Sequence, residues 1–127
     1  MNVAVGLRGE AHLVVTDADT ATSFGSGDVD VLATPRLVAL FEQATIDALR
    51  GILDENQTSV GMRVQIDHLQ PTAVGGEVVA EAHLEKIEGR RMTFTVTASD
   101  AGGLVAAGKV TRVTVDKDRF MGKCCQG

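Results

Sequence analysis

Two ionisable side chains, Glu42 and His68, stand at positions where the sequence pattern predicts apolar residues. If both point into the same partly buried layer, burial raises the pKa of the carboxyl group, while a neighbouring imidazole keeps it usable near neutral pH. Such a pair can act as a base, a nucleophile or an acid–base couple. We therefore predict a catalytic site here. The alternatives are that His68 hydrogen-bonds a backbone carbonyl at the core edge and that Glu42 extends its carboxylate to solvent.

The element that positions Glu42 is a predicted helix over residues 35–53. Thr34 and Pro35 form a good helix start, since Thr can cap free N–H groups and Pro suits the first helical position. At 100° per residue, Glu42 falls on an apolar arc formed by Val38, Ile46, Leu49 and Leu53. For Thr34, helix capping is the alternative to a chemical role.

The element that positions His68 is a predicted strand over residues 60–70. Side chains alternate across a strand, so one face carries Val60, Met62, Val64, Ile66 and then His68. Burial requires this apolar face to meet the helix. His68 is therefore predicted to point towards the layer that holds Glu42.

The remaining chain predicts a sheet around the helix. A first strand is expected over residues 10–16, a loop over 17–30, and further strands over 77–87, 91–99 and 104–115, with glycine-containing turns between them. The order of these elements is one strand, a long helix and four strands joined by short turns. This order predicts an α+β fold: a curved antiparallel sheet with the helix packed on one face.

Length and charge narrow the class of protein. The 127 residues predict one domain, 1–127, with a core of about residues 10–116 and a short flexible C-terminal tail. A net charge of −5, with neither Trp nor Tyr, argues against nucleic-acid binding. Apolar runs fall short of the roughly 20 residues that span a bilayer, and no export pattern is evident, so we predict a cytoplasmic protein without membrane contact.

Metal and nucleotide chemistry lack their usual signatures. Phosphate-binding glycine loops, serine-hydrolase elbows and zinc-protease motifs are absent from the sequence. His12 and His83 have no ligand-like spacing to His68. Cys124 and Cys125 are adjacent near the C-terminus and are predicted to be exposed, reduced thiols. We expect neither a metal nor another cofactor.

Several short stretches, taken in order, resemble a known family. They are Val31-Leu32-Ala33-Thr34-Pro35, Ala39-Leu40-Phe41-Glu42-Gln43-Ala44, Val60-Gly61-Met62, Asp67-His68-Leu69-Gln70-Pro71-Thr72, Val74-Gly75, and Lys86-Ile87-Glu88 running into Gly89-Arg90-Arg91. Their order and spacing resemble hot-dog-fold acyl-CoA thioesterases, most closely the fluoroacetyl-CoA thioesterase-like branch. The likeness covers about residues 10–116.

The resemblance implies roles for particular residues. It implies a catalytic Thr at Thr34, a Glu at Glu42 and a His at His68, together with a Gly at Gly61 near the acyl group. It also implies a substrate-binding Arg at Arg112, for which a purely structural role is the alternative.

Arg90 and Arg91 follow a predicted turn and belong to one of the stretches that resemble the family. Guanidinium groups pair well with phosphate oxygens, so these two residues are candidates for contacting the phosphates of coenzyme A. A solvated hairpin is the alternative.

The predicted function is hydrolysis of a short or modest-length acyl-CoA thioester to the free acid and coenzyme A. A straight helix would separate Thr34 from Glu42 by about 12 Å, so either the chain bends before the helix or a neighbouring subunit completes the site. Because the resemblance implies acyl sites at a dimer interface, we predict a homodimer, or a tetramer of paired dimers. The alternatives are a hot-dog acyl-CoA hydratase or dehydratase, and a non-catalytic protein that binds acyl-CoA or another small ligand.

Overall fold

The computed structural model describes residues 3–124, which form one antiparallel sheet with a helix on its inner face. In chain order the elements are β1 Arg8–Val14, α1 Ala21–Phe24, α2 Thr34–Ala48, β2 Gln57–His68, β3 Glu77–Glu88, β4 Arg91–Asp100, β5 Gly103–Asp116 and α3 Lys117–Cys124. The strand order is β1-β3-β4-β5-β2, and neighbouring strands are antiparallel. The predicted architecture of a curved antiparallel sheet and one long helix is confirmed.

The core lies between α2 and the inner face of the sheet. Alternate residues of β3 as far as Leu84 and of β4 as far as Ala98 are buried, including Val78 and Phe94, and these pack with helix α2. Complete burial of such a side chain contributes about 1.5–3 kcal/mol. The aliphatic and phenylalanine side chains therefore hold α2 firmly against the sheet.

Glycine permits the closest approach between α2 and the sheet. A Cβ atom at Gly9 in β1 would collide with the backbone of Ala44 and Ala48. β1 therefore lies directly against the helix, and a larger residue at this position would push the strand away.

Helix α2 ends earlier than the sequence pattern predicts. It was expected to continue to residue 53, but the last helical residue is Ala48, and Leu49 leaves the helical conformation with φ −95° and ψ 2°. Gly51 then adopts φ +74°, a left-handed conformation that glycine accepts without steric cost. The chain therefore turns towards β2 at this point.

Two other segments are more ordered than predicted. The expected loop over residues 17–30 contains a 3₁₀ turn at Asp17–Asp19 and the short helix α1, whose start is capped by Thr20 accepting from the Ser23 N–H at 3.2 Å. The expected C-terminal tail forms α3 as far as Cys124. Cys124 is an exposed free cysteine, and Cys125 lies outside the described residues.

A β-bulge in β2 changes which residues face the helix. The pairing register with β5 shifts between Gly61 and Arg63, so Gly61 pairs with the buried Arg112, whereas Val60 pairs with Val113 on the other face. The prediction that Val60 shares a face with Val64 is therefore wrong, because an inserted residue reverses the alternation. Downstream of the bulge the predicted alternation is confirmed.

β2 and β1 are the edge strands of the sheet. β2 is 12 residues long, and one row of its backbone groups has no neighbouring strand among residues 3–124. Within residues 3–124, no helix is both long enough and apolar enough to cross a membrane.

Candidate active site

Thr34 and His68 form the first contact of the site. Thr34 begins α2 and His68 ends β2, and Oγ1 of Thr34 lies 2.8 Å from Nδ1 of His68. The N-cap residue is Ala33, and Thr34 makes no capping hydrogen bond. Capping is therefore not what Thr34 does in this fold, and its exposed hydroxyl is available for chemistry.

The environment of His68 favours a neutral imidazole. Burial lowers the pKa of His68 below its ordinary value of 6.5, and the backbone of Gln70 has a smaller, opposite effect. A neutral imidazole can accept a proton from the Thr34 hydroxyl through Nδ1. In this tautomer the ring's own proton lies on Nε2, a buried atom with no well-formed hydrogen bond to any residue between 3 and 124.

Glu42 has a different partner, Arg112. Nη1 of Arg112 donates to Oε2 of Glu42 at 3.4 Å, while Nε and Nη2 of the same guanidinium donate to Oγ and the carbonyl oxygen of Ser59 at 2.8 and 2.9 Å. The Arg112 side chain is only 6% exposed and that of Glu42 is 36% exposed. Burial lowers the pKa of Arg112 and Glu42 offsets part of that shift, but a guanidinium stays charged at any ordinary pH. Arg112 therefore anchors the Glu42 carboxylate.

Gly61 lies against the same carboxylate. A Cβ atom at Gly61 would collide with Oε2 of Glu42. The bulge in β2 turns Gly61 towards α2, and the absence of a side chain there leaves room for the carboxylate. The structure thus brings together three residues that the resemblance named, Glu42, Gly61 and Arg112.

Within one chain the site is divided into two halves. Thr34 and His68 form one half, and Glu42 forms the other with Gly61 and Arg112. Thr34 and Glu42 both belong to α2, and the helical rise over eight residues separates them by about 12 Å along its axis. The partner expected for His68 was Glu42, but the hydrogen-bond partner of its ring is Thr34.

A cleft of about 330 Å³ opens beside Thr34 and His68. Its other lining residues are Ala21, Ser26, Gly27, Asp28, Val29, Val31, Leu32, Leu69, Gln70 and Pro71. Small and aliphatic side chains thus form much of the wall next to the reactive pair. A larger cleft, of about 470 Å³, is lined by Arg8, Glu81 and His83 and contains none of the predicted site residues.

The three predicted substrate-binding arginines occupy different environments. Arg112 is buried, and its guanidinium is bonded to Ser59 and Glu42. Arg90 and Arg91 are exposed at the β3–β4 turn, and the backbone carbonyl of Arg90 accepts from the N–H of Thr114 at 2.9 Å. Substrate contacts for all three remain predictions.

Sequence reasoning did not identify Ser59, which supplies two of the three acceptors around Arg112. A serine in a strand of mixed polarity carries no signal of its own. It could be found only by knowing the bulge that places Ser59 on the Arg112 side of the sheet.

Between residues 3 and 124, no three His, Cys, Asp or Glu side chains are arranged so that they could hold a metal ion. His12 contacts Glu10 instead, with Nε2 to Oε1 at 3.2 Å.

Comparison with known proteins gives matches in sequence and in fold. A model of the fluoroacetyl-CoA-specific thioesterase family matches residues 15–118. The fluoroacetyl-CoA thioesterase of Streptantibioticus cattleyicolor is 30% identical over 97 residues, which are 76% of this chain and 70% of that protein. A solved structure of fluoroacetyl-CoA thioesterase superposes with a TM-score of 0.92 at 26% identity, covering 99% of this chain and 98% of the other.

A second solved structure comes from a different organism. A thioesterase superfamily member from Thermus thermophilus gives a TM-score of 0.92 at 27% identity, covering 99% of this chain and 94% of the other. The matches extend across α2 and β2, the elements that carry Thr34, Glu42 and His68. The chain therefore belongs to the fluoroacetyl-CoA-specific thioesterase family and is a hot-dog-fold acyl-CoA thioesterase.

Proposed function

We propose that this protein hydrolyses short acyl-CoA thioesters through Thr34, His68 and Glu42. The observation that carries the proposal is the 2.8 Å contact between Thr34 Oγ1 and His68 Nδ1, beside a cleft with small and aliphatic walls. An exposed hydroxyl bonded to a neutral imidazole is the arrangement that activates a weak oxygen nucleophile.

The proposed first step is acyl transfer to Thr34. Its Oγ attacks the thioester carbonyl carbon while His68 accepts the hydroxyl proton, and the carbon–sulfur bond then breaks as the imidazolium protonates the departing coenzyme A thiolate. Water cleaves the resulting ester with His68 again as base, which releases the carboxylic acid and restores the Thr34 hydroxyl. First-turn N–H groups of α2 that lack intrahelical acceptors are proposed to stabilise the oxyanion.

Glu42 is proposed to complete the site from a second copy of the chain. The side chain of Glu42 is 36% exposed, so its carboxylate is accessible to a second copy of the chain. A neighbouring carboxylate would orient the imidazole and stabilise its protonated form. This assigns Glu42 an electrostatic role rather than that of the attacking group.

The long edge strand β2 supports a homodimer of this kind. Exposed edges of this length are templates for pairing with another chain. Antiparallel pairing of two β2 strands about a two-fold axis puts the His68 end of one strand opposite the Gln57–Gly61 end of the other. Thr34 and His68 of one copy would then face Glu42 and Gly61 of the second copy. A tetramer formed by two such dimers is the larger alternative.

The cleft supports a short or modest-length acyl group. Its volume of about 330 Å³ is small, at the lower end of the roughly 300–1,000 Å³ range of ligand pockets, and it must also admit part of the pantetheine arm. The reaction as written needs only water and side chains, so no cofactor is proposed. The cytoplasm, where coenzyme A thioesters are metabolised, is the proposed place of action.

A substrate panel tests the reaction. Acetyl-, fluoroacetyl-, propionyl-, butyryl-, octanoyl- and benzoyl-CoA would be compared by following free coenzyme A with a thiol reagent. We expect the highest kcat/KM for acyl groups of two to about four carbons. The proposed hydrolysis would be wrong if none of these substrates releases thiol above the rate given by a Thr34→Val, His68→Gln double variant.

A further inference from the structure

A basic groove lies between the β3–β4 turn and α3. Its lining residues are Arg90, Val115, Asp116, Arg119, Phe120 and Lys123. Four of these residues lie in α3 or just before it and follow the spacing i, i+3, i+4 and i+7: Asp116, Arg119, Phe120 and Lys123. This spacing brings them onto one side of the helix. Three cations therefore converge in a protein whose net charge is −5.

The cations of the groove are not neutralised by ion pairs. Between residues 3 and 124, neither Arg90, Arg119 nor Lys123 forms a salt bridge with a carboxylate. The one acid in the groove, Asp116, uses Oδ1 to accept from the Arg119 backbone N–H at 3.0 Å and Oδ2 to accept from Asn56 at 2.9 Å. The guanidinium and ammonium groups thus keep their donors available for an anion.

The groove is at the same end of the sheet as Glu42 and Gly61. Arg112, which anchors Glu42, and Asp116 are both in β5, and four residues of strand separate them by about 13 Å. Arg90 is tied to the same part of β5, because its carbonyl accepts from the Thr114 N–H at 2.9 Å. A molecule that extends along β5 from the half of the site formed by Glu42 and Gly61 reaches the groove, so the groove would serve the site that this half completes with a second copy.

We propose that Arg90, Arg119 and Lys123 bind the phosphate groups of the coenzyme A nucleotide, a proposal that rests on the proposed function. The 3′-phosphate and diphosphate of that nucleotide carry several negative charges, which forked guanidinium donors and an ammonium can pair. Phe120 supplies an aromatic surface of the kind on which adenine stacks. Arg91, which does not line the groove, is given no part in this contact.

Substrates with and without the nucleotide test the proposal. Acetyl-CoA and acetyl-pantetheine would be assayed with the parent and with an Arg119→Gln, Lys123→Gln double variant. Both residues are exposed, so the fold should be unaffected. We expect KM for acetyl-CoA to rise about tenfold or more with kcat unchanged, while both constants for acetyl-pantetheine stay the same. Equal effects on the two substrates, or no effect on either, would overturn the proposal.

Lys117→Gln is the matched control, since it removes one positive charge from the same helix at a residue outside the groove. It should leave KM for acetyl-CoA within about twofold of the parent, whereas Lys123→Gln alone should exceed that change. If Lys117→Gln weakens binding as much as Lys123→Gln does, only a diffuse electrostatic effect is present and the groove is not the site.

Direct binding separates this proposal from the proposed reaction. Adenosine 3′,5′-bisphosphate and inorganic phosphate would be titrated calorimetrically onto the parent and the double variant. Nucleotide binding that is lost in the double variant and much tighter than phosphate binding supports the groove even if no thioester is hydrolysed. Nucleotide binding no tighter than that of phosphate, or unchanged in the variant, would overturn it.

Discussion

The hydroxyl of Thr34 lies 2.8 Å from Nδ1 of His68, although 34 positions separate the two residues in the chain. The contact joins the first turn of α2 to the last residue of β2. It is the only hydrogen bond of the His68 side chain to the described residues 3–124 that has good geometry. The reactive pair is therefore held by two rigid elements, which is the arrangement expected of a preorganised site.

Thr34→Val should remove most of the activity without disturbing the fold. Valine keeps the branched shape of threonine but has neither a nucleophilic oxygen nor a hydrogen bond to His68. We expect kcat for the best acyl-CoA to fall by about 10²–10⁴-fold, with a thermal midpoint close to that of the parent. Thr34→Ser is the matched control, since it keeps the hydroxyl and should retain activity within about tenfold. Equal kcat values for the Val and Ser variants would contradict a chemical role for the hydroxyl.

The activity should follow the neutral form of His68. Burial lowers the pKa of this imidazole, so kcat/KM should rise with pH through a midpoint below 6.5 and then level off. A pH–rate profile for the best substrate between pH 4.5 and 8.5 measures this directly. A midpoint clearly above 6.5 would contradict burial as the dominant influence on the pKa of His68.

The lowered pKa of His68 also predicts that the stability of the protein depends on pH. A histidine with a depressed pKa in the folded state binds fewer protons than it does in the unfolded chain, so the free energy of unfolding falls as pH drops below about 6.5. His68→Gln cannot titrate and should lose less stability between pH 7.5 and pH 5. Urea denaturation at both pH values measures the difference, and an identical loss in the two proteins would contradict the predicted linkage.

Arg112→Gln should destabilise the protein and Arg91→Gln should not. The first change removes a buried cation that bonds two atoms of Ser59 and the Glu42 carboxylate. We expect a loss of about 2–4 kcal/mol in the free energy of unfolding, since the Ser59 carbonyl is left without its donor. Arg91 is exposed, and its replacement should change stability by less than about 0.5 kcal/mol. Urea midpoints that agree for the two variants would show that the Arg112 contacts are not structural.

Two glycine substitutions should separate function from folding. At Gly61 a Cβ meets the tip of Glu42, a flexible side chain that can move aside, so Gly61→Ala should lower kcat by about tenfold or more at nearly unchanged stability. At Gly108 a Cβ collides with the backbone of Gln65 and Ile66, and Gly108→Ala should cost about 2 kcal/mol or more. Steady-state assays and urea denaturation of both variants provide the comparison. Loss of stability at Gly61 equal to that at Gly108 would contradict this division.

Periodicity alone predicted which side of the molecule carries Glu42 and His68. Apolar spacing placed Glu42 on α2 and His68 on the inner face of β2, and both placements agree with the structure. The contact partners could not be predicted in this way. A bulge between Gly61 and Arg63 reverses the alternation without any marker in composition, and it decides that Gly61 faces Glu42. The Thr34–His68 contact depends on how α2 and β2 pack, which is a tertiary property.

A mixing experiment distinguishes a site shared between two chains from a site within one chain. Thr34→Val and Glu42→Gln chains, each nearly inactive alone, would be unfolded together in equal amounts and refolded. If each site combines Thr34 of one copy with Glu42 of another, half of the dimers are mixed, and each mixed dimer has one intact site out of two. We expect about a quarter of the parent activity. If both residues of a site came from the same chain, every site would carry one substitution, and mixing would restore nothing. Refolding each variant alone is the control for recovery, and an inactive mixture of well-folded dimers would contradict the shared site.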